Sequence, residues 1–148
     1  MQTVRVYEIP ACRMVSSGSG MFGDGVLEPF MEWMEKQPRS MFPRDFLSFD
    51  GRGFVWFYLY EEGMEVPEPF EIIDFPGGLY AVATGIDGDE ADGNDAKAAI
   101  DRFIGESGCF ERDMGRAELG NIITPPQAQQ AMGYCQMDYY TPIKRKIG

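Results

Sequence analysis

The chain has 148 residues, 44% of them hydrophobic, with 13 Lys or Arg against 24 Asp or Glu, a net charge of −11 and no histidine. That is one domain's length with enough apolar residues for a packed core. The missing histidine excludes Ser-His-Asp and Cys-His nucleophiles and His-based zinc or haem sites. The acidity excludes a surface that displaces counterions from DNA or RNA, since only the KRK at 144–146 is basic.

Cys12, Cys109 and Cys135 are odd in number and form no C-x-x-C, which fits small apolar residues in a reducing cytosol. The longest strongly apolar run, FVWFYLY at 54–60, is far too short to span a bilayer, and no signal peptide is evident. The expectation is a cytoplasmic chain with no membrane partner, no cofactor and no metal.

In chain order, VRVYEI at 4–9 alternates as a strand and stops at Pro10. Residues 12–16 are a second short strand, and SGSGMFGDG is a loop with Asp24 as a helix cap. In GVLEPFMEWMEKQ, Val26, Leu27, Phe30, Met31 and Met34 share one helical face. Pro29 fits its first turn, and QPRSMFPRD ends it. DFLSFD and FVWFYLYEE form a hairpin turned by Asp50-Gly51-Arg52-Gly53.

The same order then returns. FEIIDF, Pro76-Gly77-Gly78 and LYAVAT read as strand, turn, strand; an acidic loop follows, then a helix over 95–107 capped by Asp92 or Asn94 and stopped by Gly108. RAELGNIIT is a strand, PPQAQQAMG a loop or short insertion, and YCQMDYYTPIKRK a last strand whose Pro142 marks an edge or a strand end. Each half is a β-α-β-β unit. The expected fold is α+β, a single domain over 1–148 with pseudo-repeats at about 1–66 and 67–148. The two units would form one antiparallel sheet with two helices on one face. Gly77 and Gly78 would allow a sharp bend or a close approach.

GSGMFG at 18–23 fits G-x-G-x-x-G between a strand and a helix. The second half lacks it and no further βαβ units follow, so a flexible loop is the simpler reading. DGDEADGND at 87–95 fails the EF-hand pattern, with Ala91 at the fifth place. The aromatic supply is more informative. Trp56, Tyr58 and Tyr60 share one face of a strand, and Tyr80, Tyr134, Tyr139 and Tyr140 add to it. Such residues serve core packing, or line a ligand cavity with cation–π capacity. Glu118 sits in a largely apolar stretch. It is an inward carboxylate available to a cation or to acid chemistry, or an exposed one paired with Arg116 or Lys144.

The two-fold layout, IPACRMV in the first half, FPGGLYAVATG in the second, Glu118 and the closing DYYTPIK resemble the gyrase-inhibitor-like, or AraC-type effector-binding, domain over nearly the whole chain. The resemblance implies a cleft between the repeats for lipophilic, often cationic molecules. Glu118 matches the family's inward Glu, with Trp56, Tyr58, Tyr80 and Tyr140 as aromatic walls and Tyr139 less favoured by alternation. Relatives often follow a helix-turn-helix region, so the chain is expected to be free-standing or excised from a larger regulator. It implies three functions: capture of a small cationic molecule, hydrolysis of strained cyclopropanoid electrophiles by Glu118, and contact with a protein partner such as gyrase.

Overall fold

The computed structural model describes residues 3–38 and 44–147. Part of the expected helix stop, QPRSMFPRD, falls outside them. The chain divides into two compact units, Pro10–Gly77 (the inserted unit) and Met1–Ile9 with Gly78–Gly148 (the outer unit). Both are α+β with antiparallel strands.

The inserted unit holds β2 (Cys12–Gly20), α1 (Leu27–Glu35), β3 (Asp45–Phe49), β4 (Phe54–Leu59) and β5 (Glu71–Phe75), with strand order β3-β4-β2-β5. The β3–β4 turn forms as its residues dictate, with the Asp50 carboxylate accepting from the amides of Arg52 and Gly53 at 2.9 Å each. Leu27, Phe30 and Trp33 of α1 are buried, and Phe30 and Trp33 pack on Val15 and Tyr58 with Trp56 and Tyr60 beside them. The buried helix face thus centres on Trp33, while Met31, expected in it, is exposed. The glycine-rich loop turns its amides inward. Glu28 accepts from Gly23 and Gly25, and Asp24 accepts from Met21 and Val26. These donors serve the chain's own carboxylates rather than a phosphate.

The outer unit holds β1 (Arg5–Ile9), β6 (Gly78–Ile86), α2 (Glu90–Ser107), β7 (Phe110–Arg112), β8 (Leu119–Ile122), α3 (Pro126–Met132) and β9 (Gln136–Arg145), with order β1-β6-β9-β8 and β7 also on β9. Ala81 and Ala83 of β6 and Ile143 of β9 pack on Ala96 and Ile100 of α2. The acidic loop is in fact the first turns of α2, capped by Asp89, whose side chain accepts from Asp92 N. Acidic residues belong there because the helix dipole is positive at that end. Gly93 leaves room within it for the Tyr139 hydroxyl, which would lie 2.9 Å from a Cβ there. PPQAQQAMG is the short helix α3, closed by Gly133 at φ 81°.

Two expectations are corrected. β9 is no edge strand: β6 flanks one side, β8 and β7 the other. Pro142 is tolerated because its carbonyl accepts from Asp113 N at 3.0 Å, where β8 has ended and β7 begins. The N and C=O of a strand residue point the same way, so the missing donor falls in that gap. Second, the repeats exchange their first strands. β1 pairs with β6, and β5 pairs with β2. Pro10 and Gly77 are where the chain passes from one unit to the other.

Candidate functional site

Side chains alternate along a strand, so the outer-unit sheet has a face turned away from α2. Register puts Arg5 and Tyr7 of β1, Tyr80, Val82 and Thr84 of β6, Asp138 and Tyr140 of β9, and Leu119 and Asn121 of β8 on it. Polar and aromatic groups gather there at high burial: Asp138 is 3% exposed, Asn121 6%, and Tyr80 and Tyr140 are buried.

The Tyr80 and Tyr140 rings meet edge to face at 5.9 Å between centroids, and Tyr7 lies 6.3 Å from Tyr140. Asp138 Oδ1 accepts from Thr84 Oγ1 at 2.5 Å and from Arg5 Nη2 at 3.2 Å. Burying a carboxylate is costly without such partners. The Arg5 guanidinium also lies over the Tyr7 ring at 5.0 Å, and that of Arg116 over Tyr80 at 4.7 Å. Burial, then the nearby Asp138 charge, pushes the Tyr140 hydroxyl far up, against the opposing pull of Arg5 and the Asn121 hydrogen bond. Tyr140 therefore stays a neutral donor.

The residues singled out in the sequence are divided by the structure. Tyr80 and Tyr140 are together in this cluster. Tyr139 points the other way, packing with the α2 core under the Lys97 ammonium at 5.3 Å. Trp56 and Tyr58 belong to the inserted unit's core beneath α1. Glu118 precedes β8, its side chain 62% exposed and 3.2 Å from Arg112. The buried acid of the outer unit is instead Asp138. A charged residue inside the apolar YCQMDYYTPI was the available signal, and Arg5 and Tyr7, at alternate places in β1, were another.

A second carboxyl, the half-buried Asp45, accepts from Trp56 Nε1 at 2.9 Å. Burial pushes its pKa above the ordinary 3.8, only partly opposed by that bond. A folded-state pKa above the unfolded one favours the fold fully below the unfolded value, and this is lost as pH rises through the folded value. Asp45→Asn keeps an acceptor for Trp56 and removes the charge. It is expected to raise Tm by about 2–4 °C at pH 7, roughly the effect of 1 kcal/mol, and to leave it unchanged near pH 3. Circular-dichroism melts at the two pH values decide it; an equal shift at both would contradict the cause given.

Among the described residues no group of three or more His, Cys, Asp or Glu is placed to hold a metal, and no helix is long and apolar enough to cross a membrane. No family model matches the chain, and no curated protein matches it in sequence. Solved structures do match in fold. EcmrR in a DNA complex aligns at a TM-score of 0.69 and 12% identity over 98% of this chain, which spans 58% of that one. The EcmrR C-terminal domain alone aligns at 0.67 and 13%, over 99% of both chains. A hydrolase from Listeria innocua aligns at 0.68 and 8%, over 96% and 92%. SAV2435 bound to tetraphenylphosphonium aligns at 0.53 and 7%, over 96% and 94%. At these identities the likeness establishes a shared fold.

Proposed function

We propose that the chain binds small amphipathic molecules, cationic ones above all, at the tyrosine–Asp138 cluster of the outer unit. The observation that carries this is a carboxylate only 3% exposed on the same sheet face as three tyrosines. Aromatic faces supply apolar area and cation–π attraction, and a buried carboxylate supplies charge where screening is weak. The two arginines already stacked on Tyr7 and Tyr80 illustrate the preference of these rings for cations. The fold shared with a protein bound to tetraphenylphosphonium supports the same class of ligand. In a regulator such as the DNA-bound EcmrR, the corresponding role here is that of a sensing module, in keeping with the net charge of −11.

The hydrolase reading has a fold neighbour in the Listeria innocua protein. Fold alone does not carry an activity, and Glu118, exposed and ion-paired with Arg112, is not the buried carboxylate that reading needs.

Calorimetric titration with tetraphenylphosphonium tests the proposal. Saturable binding is expected to weaken about tenfold or more in Asp138→Asn, about 1.4 kcal/mol. It should change less than about twofold in Glu118→Gln, because an exposed carboxylate is screened. The reverse ranking would move the site to Glu118, and no binding by the wild type would end the reading.

A further inference from the structure

Asn121 holds a buried acceptor that the protein itself does not use. Its residue is 6% exposed, and its Oδ1 has no hydrogen-bond partner among the described residues. The amide's other end is engaged, since the Asn121 side chain hydrogen-bonds the Tyr140 hydroxyl. Leaving a buried carbonyl oxygen unsatisfied costs about 1–3 kcal/mol, and nearly all buried polar groups in folded proteins find partners. Asn121 stands opposite Asp138 in the β8–β9 register, two residue pairs from Leu119 and Tyr140. Register partners project to the same side of a sheet, so this unused acceptor faces the same side as the carboxylate and the tyrosines.

We infer that Asn121 Oδ1 is a specificity determinant of this site: it accepts a hydrogen bond from the ligand, so the site selects cations that carry an N–H donor over those that do not. This rests on the cation-binding reading above and narrows it. Ammonium groups bearing at least one N–H offer both the positive charge for Asp138 and the tyrosine faces and the donor for Asn121. Quaternary ammonium and phosphonium ions satisfy the first and leave the amide oxygen buried and unpaired. The discrimination has a physical source in that asymmetry. Because the oxygen is already buried and unpaired without ligand, the preference comes from the hydrogen bond that only an N–H cation adds.

The test compares two probes of equal charge that differ only at nitrogen, protonated dibenzylmethylamine and dibenzyldimethylammonium, titrated calorimetrically near neutral pH. The wild type is expected to bind the N–H cation about 10–100-fold more tightly. In Asn121→Leu, close in size and without an acceptor, that preference is expected to fall to about twofold or less, chiefly through weaker binding of the N–H cation. Melting of the unliganded variant guards against misfolding; removal of the unsatisfied oxygen and loss of the bond to the Tyr140 hydroxyl oppose one another, so its Tm should stay within a few degrees of the wild type. Asn121→Ala is carried alongside in case the leucine variant does not fold, with the same loss of preference expected. Equal affinity of the wild type for the two probes, or a preference that survives in both variants, overturns the inference and leaves the cation site standing. Failure of the wild type to bind either probe or tetraphenylphosphonium overturns the site itself.

Discussion

Arg116→Met is expected to lower Tm by about 6–12 °C. Arg116 is the clasp of the outer unit. Its Nε donates to Asp113 at 2.9 Å, and its Nη2 donates to the carbonyls of Leu79 and Ile143 at 2.8 Å each. The guanidinium also covers the Tyr80 ring. One side chain, 13% exposed, thus ties the loop before β8 to both β6 and β9. Removing one partner of a buried charged network costs about 3–5 kcal/mol, and about 3 kcal/mol corresponds to the shift stated for a chain of this size. Methionine keeps much of the volume, so the loss reports the lost polar contacts. Lysine should recover only part of it, because a point charge cannot serve three acceptors in a fork.

Gly78 is the other half of this contact. Its φ is 126°, and a Cβ there would sit 2.6 Å from Arg116 Nη1. Gly78→Ala is therefore expected to destabilise on its own, and the double variant to lose less than the two single losses together, since both break one arrangement. Strict additivity in thermal melts would show that the two residues act separately. The glycines after Pro76 thus answer to close approach as well as to a bend.

Arg5→Gln is expected to do two opposite things. It strips Asp138 of its cation while Thr84 remains, so the unliganded protein should melt about 4–8 °C lower, on the order of 2 kcal/mol for a buried carboxylate paired to a 41% exposed arginine. It should also bind tetraphenylphosphonium several-fold more tightly, because Arg5 occupies both the carboxylate and the Tyr7 face. Differential scanning fluorimetry across a ligand series reads both. The cation should restore most of the lost Tm in the variant and raise that of the wild type less. A variant that melts lower and also binds more weakly would mean that Arg5 helps to build the site and does not compete for it.

Local patterns carried much of this fold. The β3–β4 hairpin was legible because Asp50, Gly51 and Gly53 specify its turn, and the end of α2 because Gly108 takes the left-handed conformation at φ 71°. α3 was missed because seven polar and small residues show no helical period. The start of α2 escapes a local reading because Gly88 and Gly93 in an acidic run read as loop, whereas the glycine at 93 makes room for Tyr139, remote in sequence. The site was legible only in part for the same reason. Alternation put Trp56, Tyr58 and Tyr60 on one face correctly, but nothing local says that α1 covers that face. Tyr80 and Tyr140 were found as aromatic residues on strands. Asp138 and Asn121 owe their character to burial and cross-strand neighbours, which register decides and composition does not. Glu118 drew notice as an acid near a strand, and its position one residue before β8, beside Arg112, is a matter of where that strand begins.

The exchange of first strands also sets an order of events during synthesis. Residues 10–77 form a contiguous unit, and its last strand, β5, closes it. β1 is made before any of that unit, yet its partner β6 begins only at Gly78. At about 5–20 residues per second on the ribosome, β1 waits roughly 4–14 s with its backbone groups unpaired. The inserted unit is free to close first, so β1, made before every strand of that unit, pairs only after it.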